Sequence, residues 1–162
     1  MLRAGVIGLG DMGSGLAKNL IKNGIATTGL DLSYERMSAF VEMSGTPAGS
    51  VAELGTNSDA VFVMVMNGVQ AKAVILGDDG LVAHMPKGGA VILTATIKPS
   101  EARDIGAALE GSGIHLIDSP VSGGFPGAQG GTLTMMAAAT SEVLDQYKPI
   151  MGAVSKTIHR VG

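Results

Sequence analysis

No cysteine occurs among the 162 residues, aromatic side chains make up only 3%, and charged residues only 15%. The missing cysteine excludes a disulfide framework, a thiol nucleophile and a cysteine-type zinc site. Histidine is nearly as scarce: His84, His115 and His159 each stand alone in their neighbourhood, so no metal site is expected. A net charge of -3 supplies no basic stripe for nucleic acid. Long hydrophobic runs are missing too. The longest uncharged stretch, residues 119–141, holds two prolines, five glycines and several polar residues, which hydrocarbon rejects, so no membrane span is expected. Arg3 precedes an apolar run in the manner of a secretory signal, but glycines and Asp11 break it early. A cytoplasmic location is therefore expected.

What is present is apolar and rich in glycine. Hydrophobic residues make up 46% of the chain, and ten of them are methionine. A chain of about 150 residues buries roughly 70% of the surface its unfolded form exposes, so one domain with an aliphatic, methionine-rich core is expected. Glycine occurs 25 times, twice the usual share of about 7%. With no collagen-like period, that excess points to tight βα loops and to backbone lying close to a ligand.

Short β-rich runs alternate with longer helical ones, the rhythm of βαβ units around a parallel sheet. Strands are predicted at residues 2–7, 26–30, 60–66, 90–93 and 114–117, with others within 132–139 and near 157–159. Residues 60–66 are continuously apolar, as in a strand covered on both faces. Met12, Leu16, Leu20 and Ile21 recur at helical spacing ahead of Gly24. Ser33 is placed to cap a second helix, and Ser50-Val51-Ala52-Glu53 has capping-box spacing. Further helices are predicted over 69–76, from Pro99 to about 110, and over 141–151. Residues 119–131 read as a long Gly/Pro loop. The fold class is α/β, a Rossmann-like, doubly wound and mainly parallel sheet in a single domain.

Gly8, Gly10 and Gly13 form G-x-G-x-x-G directly after the first strand and at the start of a helix. In that setting the first glycine serves a tight turn, the second lets backbone approach a pyrophosphate, and the third lets helix and strand pack. Amide groups and the helix dipole around Met12 then face the diphosphate. Asp31 ends the next strand, where an acidic residue accepts hydrogen bonds from a ribose. Its plainer alternative is a loop residue that helps cap the helix after Ser33. A carboxylate there disfavours a 2′-phosphate, Leu32 offers no cation, and Arg36 on its helix is expected to point to solvent. NAD is therefore expected ahead of NADP.

Asp118-Ser119-Pro120-Val121-Ser122-Gly123-Gly124 follows another strand, where open α/β sheets place their ligands. A hydroxyl beside consecutive glycine amides suits a carboxylate, although a plain flexible loop reads equally well. Together with Gly8-Leu9-Gly10-Asp11-Met12-Gly13, Leu16-Ala17-Lys18-Asn19-Leu20, Gly127-Ala128 and Gly131-Thr132-Leu133-Thr134-Met135-Met136, this segment resembles the β-hydroxyacid dehydrogenase family. The likeness extends over essentially the whole chain. Val65-Met66-Asn67, Gln70 and Asp31-Leu32 look closest to its L-threonate dehydrogenase branch.

The resemblance implies roles position by position. Leu9, Gly10, Asp11, Met12 and Gly13 would hold the diphosphate with Gly8, and Asp31 and Leu32 would border the ribose. Val65 and Met66 would line the adenosine side. Thr96 would contact the nicotinamide end, unless it is only a strand-end residue bonding its own loop. Ser122, Gly123 and Gly124 would bind the carboxylate of a small 3-hydroxy acid. Lys98 departs from the family, which has a small residue there, and is expected to be solvated.

The family's catalytic lysine would lie beyond Gly162, on the first helix of an all-helical domain that also supplies dimer contacts. None of the seven lysines of this chain lies in that motif, so no catalytic residue is expected within 1–162 and homo-oligomers are expected only with that domain. Two other readings stand beside the dehydrogenase. One is a non-catalytic dinucleotide-binding interaction module, as in a chromatin-associated relative that lacks the lysine. The other is an imine-reductase-like enzyme, which is not expected to carry Pro120-Val121-Ser122-Gly123-Gly124.

Overall fold

A computed structural model describes residues 2–65, 67–94 and 97–161. Its central sheet is built from β1 (Arg3–Ile7), β2 (Ala26–Leu30), β3 (Thr46–Pro47), β4 (Ala60–Val63), β5 (Ala90–Leu93) and β6 (His115–Asp118). The strands lie in the order β3-β2-β1-β4-β5-β6, and every neighbouring pair is parallel. The order turns back on itself at β1, so β2 and β4 flank it. That is the topological switch point, where doubly wound sheets open a crevice at the carboxyl ends of their strands.

Period-two alternation decides which side chains face which layer. Ala4, Val6, Phe62 and Ile92 point into one core with Leu16 and Leu20 of α1 (Asp11–Lys22) and Leu144 and Tyr147 of α8 (Ser141–Val154). Ile7, Val61, Val63, Val91 and Leu93 point into the other. There they meet α3 (Val51–Thr56), α4 (Gly68–Leu76), α5 (Leu81–His84) and α6 (Pro99–Leu109). β4 and β5 are fully buried, which explains their unbroken apolar sequence.

A second sheet follows, made of β7 (Val121–Ser122), β8 (Leu133–Ala137) and β9 (Ser155–Arg160). β7 and β8 run antiparallel, β8 and β9 parallel. Asp118 and Ala138 join the two sheets through reciprocal backbone hydrogen bonds of 3.2 and 2.8 Å.

The strands at 26–30 and 90–93 occupy their predicted bounds, and the final helix runs three residues past 151. Several features differ from the sequence reading. The apolar run at 60 forms a strand only to Val63, and the separate second sheet, β3 and α5 were not anticipated. Most of the expected Gly/Pro loop is instead β7 and the helix α7 (Gly124–Gly130). Its Pro126 lies in the first turn, where a missing N–H costs no helical bond. Ser33 caps α2 (Tyr34–Glu42) by accepting the Arg36 N–H at 3.3 Å. Ser50 caps α3 as expected, but the Glu53 carboxylate reaches back to the Gly49 N–H at 2.7 Å, one residue beyond the usual box. Among the described residues no helix is long and apolar enough to cross a bilayer.

Candidate functional site

The three glycines of the first loop stand in different surroundings. Gly8 has φ +94°, and a Cβ there would stand 2.0 Å from the Met64 carbonyl oxygen. A Cβ at Gly13 would stand 1.7 Å from the Gly8 oxygen. Those two glycines are demanded by the protein itself, through a left-handed turn and a close helix–strand approach. Gly10 is not. It has φ -70° and ψ -160°, which any residue adopts, and among the described residues a Cβ on it would find nothing nearer than the Arg36 guanidinium at 3.7 Å. The space in front of Gly10 is open to a ligand at the N-terminus of α1, and the loop as a whole fits a dinucleotide diphosphate.

Asp31 stands at the end of β2 with its side chain only 10% exposed. One carboxylate oxygen accepts the Leu9 N–H at 2.7 Å, and the other accepts the Ser33 N–H at 2.8 Å. Its own N–H donates to the Met37 sulfur at 3.2 Å. Asp31 thus ties the glycine loop to the start of α2, and the loop-and-cap alternative describes part of what it does. A carboxylate offers about four acceptor positions, two more than these bonds use. Arg36 does not point away, as expected from the sequence. Its Nη1 lies 3.7 Å from the same Asp31 oxygen that holds Leu9. Leu32 is fully exposed beside this cleft.

Val65 is partly buried against the α3–α6 core. Met66 and Thr96, the other expected adenosine and nicotinamide contacts, lie outside the described residues. Among the described neighbours, Asn67 caps α4 by accepting the Gln70 N–H at 2.9 Å. Thr94 donates to the Val63 carbonyl at 3.3 Å and to the Met64 sulfur. Lys98 is exposed and precedes α6, where the Glu101 carboxylate accepts its N–H at 3.1 Å.

On the other side, Ser122, Gly123 and Gly124 are all exposed, and the glycines carry φ of +124° and +57°. The preceding Ser119 is fully buried, and among the described residues its hydroxyl has no hydrogen-bond partner. Burial raises the Asp118 carboxyl above the usual carboxylate range. What joins this loop to the glycine loop is a packing of α7 on α1 that sequence reasoning missed. The Asn19 amide donates to the carbonyls of Gly15, Ala128 and Gln129 at 2.9, 2.8 and 3.1 Å. The Gln129 amide reaches the Asp11 carbonyl at 3.3 Å and the Ser14 hydroxyl at 3.4 Å. Gly15 permits the approach, since a Cβ there would lie 2.6 Å from the Ala128 backbone.

Residues 3–162 match the family described as the NAD binding domain of 6-phosphogluconate dehydrogenase. An L-threonate dehydrogenase of Cupriavidus necator is 37% identical over 158 residues, 98% of this chain and 53% of that protein. A NAD-dependent L-serine dehydrogenase of Pseudomonas aeruginosa is 35% identical over 162 residues, 100% of this chain and 54% of the relative. The crystal structure of a 3-hydroxyisobutyrate dehydrogenase from Salmonella typhimurium superposes with a TM-score of 0.93 at 31% identity. That match covers 99% of this chain and 56% of the other. The chain therefore spans about half the length of the curated relatives it matches.

Proposed function

The chain belongs to the family of the NAD-binding domain of 6-phosphogluconate dehydrogenase, and on that premise we propose that it is the cofactor-binding part of a 3-hydroxyacid dehydrogenase. The observation that carries this reading is the open face of Gly10, a glycine that neither its backbone angles nor its neighbours require. Gly8 to Gly13 would hold the diphosphate and Asp31 the adenosine ribose, with NAD preferred. Leu32, Val65 and Met66 would border the adenosine, and Thr96 the nicotinamide. Ser122, Gly123 and Gly124 would receive the carboxylate of a small 3-hydroxy acid. The names of the similar dehydrogenases, which include L-threonate and L-serine enzymes, support that substrate class.

The nicotinamide, when bound, supplies the hydride acceptor, and the protein orients it and shields the reaction from water. This chain's own part is binding and orientation. The proton of the substrate hydroxyl would pass to a lysine of an all-helical domain outside residues 1–162. Losing such a general base alone forfeits roughly 10²–10⁴-fold in rate. The test has two arms. Titration of NADH with this chain, followed by nicotinamide fluorescence, is expected to saturate. NADH production from a panel of 3-hydroxy acids is expected only with a form extended by the helical domain. A chain that binds no dinucleotide would reject the cofactor reading, and turnover by residues 1–162 alone would place the catalytic group within them.

A further inference from the structure

We propose that Gln129 is a positioning residue through which an occupied diphosphate loop sets Gly123 and Gly124, an inference that rests on the dinucleotide reading above. α7 is the element between the two. Its N-cap is Gly123 and its first residue is Gly124, so part of the segment proposed to take the substrate carboxylate forms its head. Gln129 lies at its other end. The Gln129 amide donates to the Asp11 carbonyl at 3.3 Å and to the Ser14 hydroxyl at 3.4 Å. Both acceptors stand at the start of α1, and Ser14 lines the same cleft as Gly10. One short helix therefore joins the proposed carboxylate segment to the proposed diphosphate site.

The two ends of α7 are held differently, and that gives the contact its consequence. The buried Asn19 amide holds the Ala128 and Gln129 carbonyls at 2.8 and 3.1 Å, within the normal range for such bonds. The Gln129 side-chain bonds are longer than that range and have room to tighten. At the head, Gly124, Phe125 and Pro126 are exposed. Gly123 and Gly131, which bound the helix, have φ of +124° and +70°, so each end turns on a glycine. The Ser14 hydroxyl donates to the Asp11 carbonyl at 3.4 Å. An anion in front of Gly10 draws that proton toward itself, and the carbonyl loses a donor. The Gln129 amide then closes on the Asp11 carbonyl, α7 turns about its anchor at Asn19, and the exposed head settles into one position.

The experiment follows backbone amide shifts in two-dimensional NMR spectra while ADP is added to the chain, to Gln129→Ala and to Gln129→Glu. ADP carries the adenosine and the diphosphate but no nicotinamide, so it fills the glycine-loop end alone. In the unaltered chain the amides of Gly123 and Gly124 are expected to shift along the same saturation curve as those of Gly10 and Ser14. Gln129→Ala is expected to abolish the response at Gly123 and Gly124, while ADP affinity falls by about threefold or less, the scale of one long neutral hydrogen bond. Gln129→Glu keeps the length of the side chain but offers no N–H, and is expected to behave like Gln129→Ala. Thermal unfolding serves as the folding control. A side chain that only packs α7 on α1 would change stability and leave the response to ADP intact, and that result would overturn the assignment of Gln129. Shifts confined to the glycine loop in the unaltered chain would overturn the coupling itself. An unaltered chain in which ADP moves no amide of the glycine loop would remove the dinucleotide reading, and this inference with it.

Discussion

The side-chain amide of Asn19 donates a hydrogen bond of 2.8 Å to the main-chain carbonyl of Ala128, 109 residues further along the chain. Asn19 is 5% exposed, and its amide also reaches the carbonyls of Gly15 and Gln129. One buried polar side chain therefore ties the helix behind the glycine loop to the segment that follows Ser122, Gly123 and Gly124. The two parts proposed to hold cofactor and substrate are fixed to each other by this contact and by the Gln129 bonds to α1.

Asn19→Ala is accordingly expected to lower stability by about 1–3 kcal/mol, the cost of leaving buried carbonyls without a donor. Urea unfolding measures it. NADH affinity should stay within about threefold, because the contact lies nearly two turns below the loop. A variant as stable as the original would show that water or neighbouring donors replace the amide.

Gly10 and Gly13 should respond in opposite ways to one added methyl group. Gly13→Ala would drive a Cβ to 1.7 Å from the Gly8 oxygen, so loss of the cooperative fold or several kcal/mol of destabilisation is expected. Gly10→Ala and Gly10→Val meet no such obstacle and should unfold like the original, while dinucleotide binding is lost with Val and weakened with Ala. Circular dichroism melts paired with NADH titration separate the two outcomes. Undiminished NADH affinity in Gly10→Val would remove the diphosphate from this face.

Asp31→Ala separates an observed role of this residue from a proposed one. The carboxylate joins the Leu9 and Ser33 N–H groups, so even without cofactor the variant is expected to lose about 1–3 kcal/mol. NADH should weaken more than NADPH, which narrows the ratio between them. Stability loss with an unchanged ratio would confine Asp31 to the loop and the cap.

Most of the central fold was legible because its forces are local. The runs Ala60 to Val63 and Ala90 to Leu93 are apolar at every position since both faces are covered, and Ser33 and Ser50 announce their helices by capping chemistry. The glycine loop and Asp31 were legible for a similar reason, as spacing alone sets them between two strands. Phe125-Pro126-Gly127 was not legible as helix. Its composition favours a turn, and α7 depends on burial of Ala128 against Gly15 and Asn19, residues more than a hundred positions away. Arg36 was misjudged for a related reason. A helical position fixes where a long side chain begins, but the Asp31 carboxylate, ahead of the helix cap, decides where it ends.

The ion pair between Arg3 and Asp59 gives the fold a defined response to acid. Asp59 immediately precedes β4, and its carboxylate accepts the Arg3 main-chain N–H at 2.8 Å and two guanidinium bonds of 3.2 Å. Burial pushes the Asp59 carboxyl upward, but the hydrogen bonds and charge of Arg3 outweigh it and hold the group below the usual carboxylate range. A carboxyl whose value is lower in the folded state than in the unfolded one stabilises the fold once ionised. That contribution is fully present above the unfolded value of about 3.9 and is lost as the pH falls through the lower, folded value. Arg3 is 42% exposed at its side chain, so solvent screening limits the pair to about 1 kcal/mol. Asp59→Asn should therefore be less stable than the original by about that amount from pH 8 down to about pH 5, and the gap should close below about pH 3. Urea unfolding of both proteins across that range measures it. A gap that stays constant down to the lowest pH would assign the loss to the neutral hydrogen bonds and remove the charge from the account.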